Sequence, residues 1–572
     1  MKINELSLKY IVLINIGLLL GLALFVPLLL DLFNLNVRIF IISILSRFTI
    51  IVLIVVLIID IVFLFTKVNL YSLSMLNMGL TFFLYILLVY SFLNNIYEVV
   101  YVMNYSNTTL PLIYKIVAIW AGEDGSIMTW MLFNSIIINF YRIKNQNRED
   151  LVFIRSVAIS LIVSVVFLFV LFYLDPFEVD LSPAFLGGLG LSPLLISPFM
   201  IWHPFFTFMA YAIFLIPFTT VIVESFKRGS KLLNSYQQNF YDFSLKFGWL
   251  VMTLSIGLGA YWAKIALTWG RYWGWDPVET VSLIPWLLIT ALFHTRLFKK
   301  SNSRLIKINV GIIFFSILFS TLITRGGLSP LHSFTGGTEL VIWVTLVGLL
   351  LVIFSLYALY IVLDYLMENY KNKSILFDCL SYLFLISLAF VCIFGLFITP
   401  FTFILSSFLP IDMIVIGPNF FTVTALILAV GLAITLIFCS LWEYTEIKSI
   451  ILILVTVLAV QTVISFLLLY ITGIWINPVI TIYFISIIAS LFRLIKNFSV
   501  KKGFKHFFRL NSKSIIHAGL SFILVGTLIT SNFGIAQDFF YITGFFLFLI
   551  GITPSIIISF FPKVINSKNE HL

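Results

Sequence analysis

The sequence is short of charge and of cysteine. Only 10% of its 572 residues are Asp, Glu, Lys or Arg, against about 25% in a water-soluble domain, which excludes a soluble globular chain. The three cysteines, Cys379, Cys392 and Cys439, lie inside apolar runs with no CxxC pair and no metal-like spacing. That excludes a disulfide scaffold and a thiolate metal site, and the thiols read as packing residues. Acidic residues are fewer than basic ones, 24 against 34. The cations nevertheless fall in short loops and form no stripe, so no nucleic-acid interface is read. No cleavable leader is read either: Lys2 and Lys9 precede an apolar run from Tyr10 to Leu30 that is too long for a signal h-region, and the first segment reads as a retained helix.

What is present is apolar, 61% of the chain. Runs of about 20 residues, each able to cross about 30 Å of hydrocarbon, recur near 10–31, 48–66, 74–93, 117–139, 152–174, 204–223, 247–265, 281–298, 308–324, 339–363, 376–397, 419–441, 449–471, 478–495, 514–532 and 538–561. The pattern predicts an all-α polytopic transmembrane bundle of about 15–16 helices. It reads as one integral membrane domain over 1–572, with a core at 94–338 and C-terminal helices at 339–572. The stretch 399–418, with Thr399-Pro400 and Gly417-Pro418, reads as an outer loop or re-entrant piece. When the spans alternate sides, Arg38, Arg47, Lys115, Lys264, Arg271 and Arg325 fall on one face and every other Lys and Arg on the opposite one. By the positive-inside rule both termini are then cytoplasmic, in the plasma membrane. The cation-poor outer face receives the longest loops, near 94–116, 175–203, 266–280, 325–338 and 398–418, and loops on a rigid bundle are where function tends to sit.

Of six histidines, His506 and His571 lie in basic or terminal segments and read as solvated. His203 stands at the outer end of one span and His332 in an outer loop. His294 lies late in a helix running inward and His517 early in one running outward, so the two share a depth. A polar ring inside lipid needs partners and is usually functional. One such histidine is most simply a helix-to-helix hydrogen bond, whereas two at matched depth also suit axial ligation of a planar, apolar haem. Depth alone leaves both readings open. No metal other than haem iron is read.

Between two spans lies Trp269-Gly270-Arg271-Tyr272-Trp273-Gly274-Trp275-Asp276-Pro277-Val278-Glu279-Thr280, followed by Ser282, Pro285 and Trp286. Interfacial Trp is ordinary anchoring, but three Trp within seven residues, spaced by Gly and ended by a helix-starting Asp-Pro, form a flat amphipathic platform suited to a planar ligand.

This loop resembles the signature loop of the WWD-domain haem-handling membrane proteins of cytochrome c biogenesis. The form ending in Val278-Glu279-Thr280, with Pro285-Trp286 and then His294, is most similar to the haem lyase subunit of cytochrome c maturation, the CcmF/NrfE family. Further blocks resemble that family in order: Ser106-Asn107 through Pro111 and Tyr114; Trp120-Ala121-Gly122-Glu123-Asp124-Gly125-Ser126 with Trp130; Leu191-Ser192-Pro193-Leu194-Leu195 with Pro198, His203-Pro204, Tyr211 and Pro217; Thr324-Arg325-Gly326-Gly327-Leu328 leading to His332; and Ile516-His517-Ala518-Gly519. Arg271, Tyr272 and Gly274 depart from the family pattern, as does Phe205 after His203-Pro204, which marks a divergent member. The role of Trp120, Gly122, Gly125 and Ser126 is not assigned.

The resemblance implies a haem lyase that joins haem vinyl groups to the CxxCH cysteines of an apocytochrome c on the outer face. His203 and His332 would ligate haem delivered by a haem chaperone. Trp269, Gly270, Tyr272, Trp273, Trp275, Asp276, Pro277, Glu279 and Trp286, within a loop region near 266–286, would form its platform. His294 and His517 would hold a resident haem b that passes electrons from quinol, and other maturation subunits would be partners. Arg325 first, then Arg271 and Lys115, are candidates for the haem propionates, because guanidinium matches a carboxylate bidentately. A haem exporter or delivery protein sharing the loop is the nearer alternative. An ion-coupled transporter, with Glu123-Asp124 as its site, is the remote one.

Overall fold

A computed structural model describes residues 5–66, 68, 70–145, 150–181, 187–226, 235–266, 270–295, 303–325, 338–473, 477–497, 503–529 and 533–560. Among them the chain is helical, with no strand beyond an isolated bridge between Val99 and Val179. It divides into two compact units, Met1–Leu232 and Leu233–Leu572. The boundary falls within the stretch 94–338 that the sequence marks as a core.

The first unit contains α1 (Glu5–Leu30), α2 (Leu35–Phe65), α3 (Tyr71–Leu93), two short helices α4 (Val100–Tyr105) and α5 (Leu112–Val117), then α6 (Glu123–Lys144), α7 (Leu151–Leu174) and α8 (Pro198–Ser225). Local chemistry sets several ends. Asn34 and Asp150 cap α2 and α7 by accepting the N–H groups of Val37 and Phe153, and Ser197 with Pro198 opens α8. Helices α2, α3, α6, α7 and α8 pack side by side. At the α2–α6 contact the Asp60 carboxylate and the Arg142 guanidinium meet with no solvent exposure on either side chain, and Arg142 also donates to the Leu70 carbonyl.

The second unit holds α9 (Ser235–Ala266), α10 (Pro277–Phe293), α11 (Ser303–Arg325), α12 (Thr338–Asn369), α13 (Lys373–Ser406), α14 (Pro418–Leu441), α15 (Ile447–Thr472), α16 (Pro478–Lys496), α17 (Gly503–Leu528) and α18 (Gly534–Phe560). Seven of these form a closed circuit, in which α9 packs on α10, α10 on α13, α13 on α14, α14 on α16, α16 on α17, α17 on α18, and α18 back on α9. The tightest pair is α17–α18. Added Cβ atoms at Gly519, Gly526 and Gly544 would meet backbone of the facing helix at 2.6 to 2.7 Å, and one at Gly551 would meet Ile516 at 2.6 Å. Each helix carries two of these glycines seven residues apart, so one face of each allows close backbone approach.

All of the predicted spans correspond to helices, and by length and composition twelve of the described helices are apolar enough to cross a membrane. The chain is a polytopic helical membrane protein. The structure differs from the expectation at 399–418. Helix α13 runs through Thr399-Pro400 to Ser406, so the connection is only 407–417, and the Thr402 hydroxyl accepts the Ile414 N–H to fold it back. The first connection is also shorter than read, because α2 begins at Leu35; Arg38 and Arg47 therefore sit on a helix, paired with Asp31 and Asp175.

Candidate functional site

The Trp-rich loop reaches three members of the seven-helix circuit besides α10, which it opens. Gly270 takes φ 65°, where a side chain would be strained. Tyr272 is fully buried and holds the loop from beneath: its ring stacks on Tyr541 of α18 with centroids 3.7 Å apart and planes 6° apart. The Tyr272 hydroxyl donates to Asp538, whose carboxylate also pairs with Lys264 of α9, and the Lys264 ammonium lies over the Tyr272 ring. Burial and the adjacent Asp538 carboxylate push the Tyr272 phenol far above its ordinary range, so it remains a donor.

Above it lie Trp273 and Trp275, both half-buried, which meet edge to face at 5.8 Å. Trp275 adopts φ 58°, an uncommon conformation for a side-chain-bearing residue, and its ring stacks on Phe421 of α14. Phe421 carries no motif in sequence; its position at the start of α14 is what brings it under the loop. The Asp276 carboxylate accepts the Val278 N–H and Pro277 occupies the first helical position, as the sequence predicts.

Glu279 turns back to accept the Gly274 N–H at 2.8 Å, tying the loop to the first turn of α10. Burial pushes its carboxyl up to about 7, against that hydrogen bond. Its other oxygen, Oε1, is buried without a hydrogen-bond partner, as is the Trp273 indole Nε1. An acceptor and a donor are thus left over in the loop. Arg271 is exposed, whereas Arg325 closes α11 as a buried residue that reaches back toward the Thr321 carbonyl. Lys115 is buried in the first unit and donates to Asn95. Trp269 and His332 lie outside the described residues.

At the far end of α10, a ladder of four-residue steps leads to His294. The Trp249 indole donates to Thr290 Oγ1 at 2.9 Å, and the Trp286 indole donates to Thr253 Oγ1 at 2.9 Å. His294, the residue capping α10, places Nδ1 2.9 Å from the Thr290 carbonyl. A carbonyl only accepts, so Nδ1 carries the proton and Nε2 is the lone-pair nitrogen, the arrangement of a metal-ligating imidazole. His517 belongs to α17, which the circuit separates from α10 by other helices in both directions. Two imidazoles carried by separate helices are the donor set a bis-histidine haem uses. Among the described residues no cluster of three His, Cys, Asp or Glu side chains is arranged for a bare metal ion.

His203 lies in the first turns of α8, half-buried, and its carbonyl accepts from Thr207. The block 120–126 packs into a knot beside it. The Tyr101 hydroxyl donates to the Ile119 carbonyl and accepts the Gly122 N–H. A Cβ at Gly125 would stand 1.8 Å from the Ile119 carbonyl oxygen and one at Gly122 2.5 Å from the Tyr105 ring. Ser126 donates to the Glu123 carbonyl.

Residues 120–332 match the model of the family described as cytochrome C assembly protein. The chain is 34% identical to the cytochrome c-type biogenesis protein CcmF of Escherichia coli K12 over 255 residues, covering 44% of this chain and 39% of that protein. To the probable cytochrome c-type biogenesis protein NrfE of the same organism it is 32% identical over 252 residues, covering 43% and 45%. These alignments span less than half the length of the curated relatives. A solved structure titled cytochrome c heme lyase CcmF shares the fold, with a TM-score of 0.57 over 86% of this chain and 77% of that one at 18% identity. The curated relatives support the resemblance to the cytochrome c maturation proteins CcmF and NrfE, the family model supports a cytochrome c assembly protein, and the solved structure shows the shared fold.

Proposed function

Starting from a chain related to the cytochrome c maturation proteins CcmF and NrfE, we propose that it is a haem lyase that attaches haem through thioether bonds to the CxxCH cysteines of apocytochrome c on the outer face of the membrane. The observation that carries this reading is the loop 270–279. It is anchored below by Tyr272 and Asp538 and presents Trp273 and Trp275 from a fixed backbone, as a platform for a planar macrocycle requires.

Catalysis on this reading is mostly positioning. A thiol held against a vinyl group recovers up to roughly 7–11 kcal/mol of barrier from proximity. His203, together with His332, is proposed to ligate the delivered haem, and Arg325, with Arg271 as the more exposed candidate, to contact its propionates. Lys115, bonded to Asn95, is the weakest propionate candidate. His294 and His517 are proposed to hold a resident haem b, which supplies electrons drawn from quinol. The remaining groups orient: Thr290 fixes the His294 tautomer, and Glu279 fixes the loop. Partners on this reading are a haem chaperone, apocytochrome c and other maturation subunits, with both termini cytoplasmic.

The test is covalent haem. Expressed with its maturation partners and an apocytochrome bearing CxxCH, the chain yields haem-stained cytochrome, and Trp273→Ala lowers the yield by about tenfold or more. Haem bound to the chain with an apocytochrome left unmodified would instead identify an exporter or delivery protein.

A further inference from the structure

Pro204 creates a defect next to His203. In an α-helix the N–H of residue 204 bonds the carbonyl of residue 200, but proline has no N–H, so within α8 the Met200 carbonyl loses its intrahelical donor. Met200 is buried, at 7% exposure, where an unmet carbonyl is costly. The Trp120 indole N–H is directed at this oxygen from outside the helix, at 3.0 Å, and the contact is buried. The Trp120 ring also meets Phe205 edge to face, with centroids 6.2 Å apart. Trp120 therefore grips α8 on both sides of His203, three residues before it and two after.

We propose that Trp120 is the positioning residue for His203, and that the block Trp120-Ala121-Gly122-Glu123-Asp124-Gly125-Ser126 exists to aim its indole. The glycines serve that aim. Gly125 lets the chain fold onto the Ile119 carbonyl, and Gly122 lets the Tyr105 ring close over the turn. Tyr101 then clamps both ends of the turn through its hydroxyl. Pro204 keeps the carbonyl of Met200 open to an outside donor, so the start of α8 takes its orientation from the knot and not from its own hydrogen-bond ladder. The claim that this orientation serves a haem ligand rests on the proposed role of His203; the exchange of one donor for another does not.

That exchange can be reversed. Trp120→Phe keeps an aromatic ring against Phe205 and removes the N–H, while Pro204→Ala restores an N–H to the helix. In the full-length chain, purified with its partners, Trp120→Phe is expected to speed amide exchange across 198–207 and to lower retention of delivered haem, each by about tenfold. It should also change the absorption spectrum of that haem. Adding Pro204→Ala to Trp120→Phe is expected to return all three readouts to within about twofold of the parent, because the Met200 carbonyl regains a donor. A double variant as impaired as Trp120→Phe would overturn the proposal, as would a Trp120→Phe variant unchanged in exchange. His203→Ala separates the two levels: if it leaves haem retention unchanged, the ligand reading fails, while coupling of Trp120 to Pro204 in the exchange rates still decides whether Trp120 orients this turn.

Discussion

Trp249 and Trp286, on neighbouring helices, clasp each other reciprocally: each indole donates to a threonine that lies one turn past the other tryptophan, Thr290 for Trp249 and Thr253 for Trp286. Their rings stack at 6.1 Å. The Thr290 side chain is thus held by a second helix, whereas His294 bonds the backbone carbonyl of the same residue. Replacing Thr290 with Val keeps the shape and the carbonyl but leaves the buried Trp249 N–H without an acceptor, at a cost of about 1–3 kcal/mol. The expected result is a lower unfolding temperature in detergent with the resident haem spectrum retained. Loss of haem without loss of stability would show that Thr290 acts on the ligand directly.

The Asp60–Arg142 pair makes a sharper stability prediction. Both side chains are wholly buried, so removing one partner strands a charge. Asp60→Asn is expected to destabilise the first unit by about 3–5 kcal/mol, and Asp60→Leu combined with Arg142→Met to recover most of that loss. Thermal unfolding of the purified chain reads both. Equal stability of Asp60→Asn and the parent would remove the pair from the account.

Glu279 gives the loop a pH dependence whose sign is fixed. Its carboxyl is raised by burial from 4.5 to about 7, so the folded loop holds a proton that the unfolded chain has already released. This stabilisation is complete below about pH 4.5, is lost as pH rises, and is gone above about pH 7. The protection factors of 270–280, exchange corrected for the base-catalysed rate of an unstructured amide, should therefore fall across that interval in the parent. In Glu279→Gln, which keeps an acceptor for the Gly274 N–H, the protection factors should stay level. A parallel slope in the variant would assign the dependence to another group.

Much of this was legible in the sequence, and the reasons for the gaps are physical. Long apolar runs separated by polar breaks gave every long helix, because a lipid-spanning segment must be apolar and must satisfy its own backbone. The Asp276-Pro277 helix start was readable because capping is local. The sequence pattern puts Tyr272 in the platform surface, whereas it is the buried anchor of the loop; its partner Asp538 lies far away in sequence and leaves no local trace. Phe421 and Trp249 were missed for the same reason, since an apolar or aromatic residue in a membrane helix looks alike whether it faces lipid or a site. Thr399-Pro400 was read as a break, and the helix continued through it, as membrane helices tolerate when neighbouring hydroxyls and helices satisfy freed backbone groups.

Arg325 tests the propionate assignment. Arg325→Gln keeps a donor but loses the charge and the bidentate fork, and is expected to lower retention of delivered haem and cytochrome yield by about tenfold while the resident haem spectrum is unchanged. Unchanged retention would exclude Arg325 as a propionate contact.

The most direct test of the account is an absorption spectrum of the purified chain from haem-replete cells, recorded before and after dithionite. A reducible, six-coordinate b-type spectrum is expected, extractable by acid acetone and abolished by His294→Ala and by His517→Ala. A folded, colourless preparation, or a spectrum indifferent to both histidine substitutions, would contradict it.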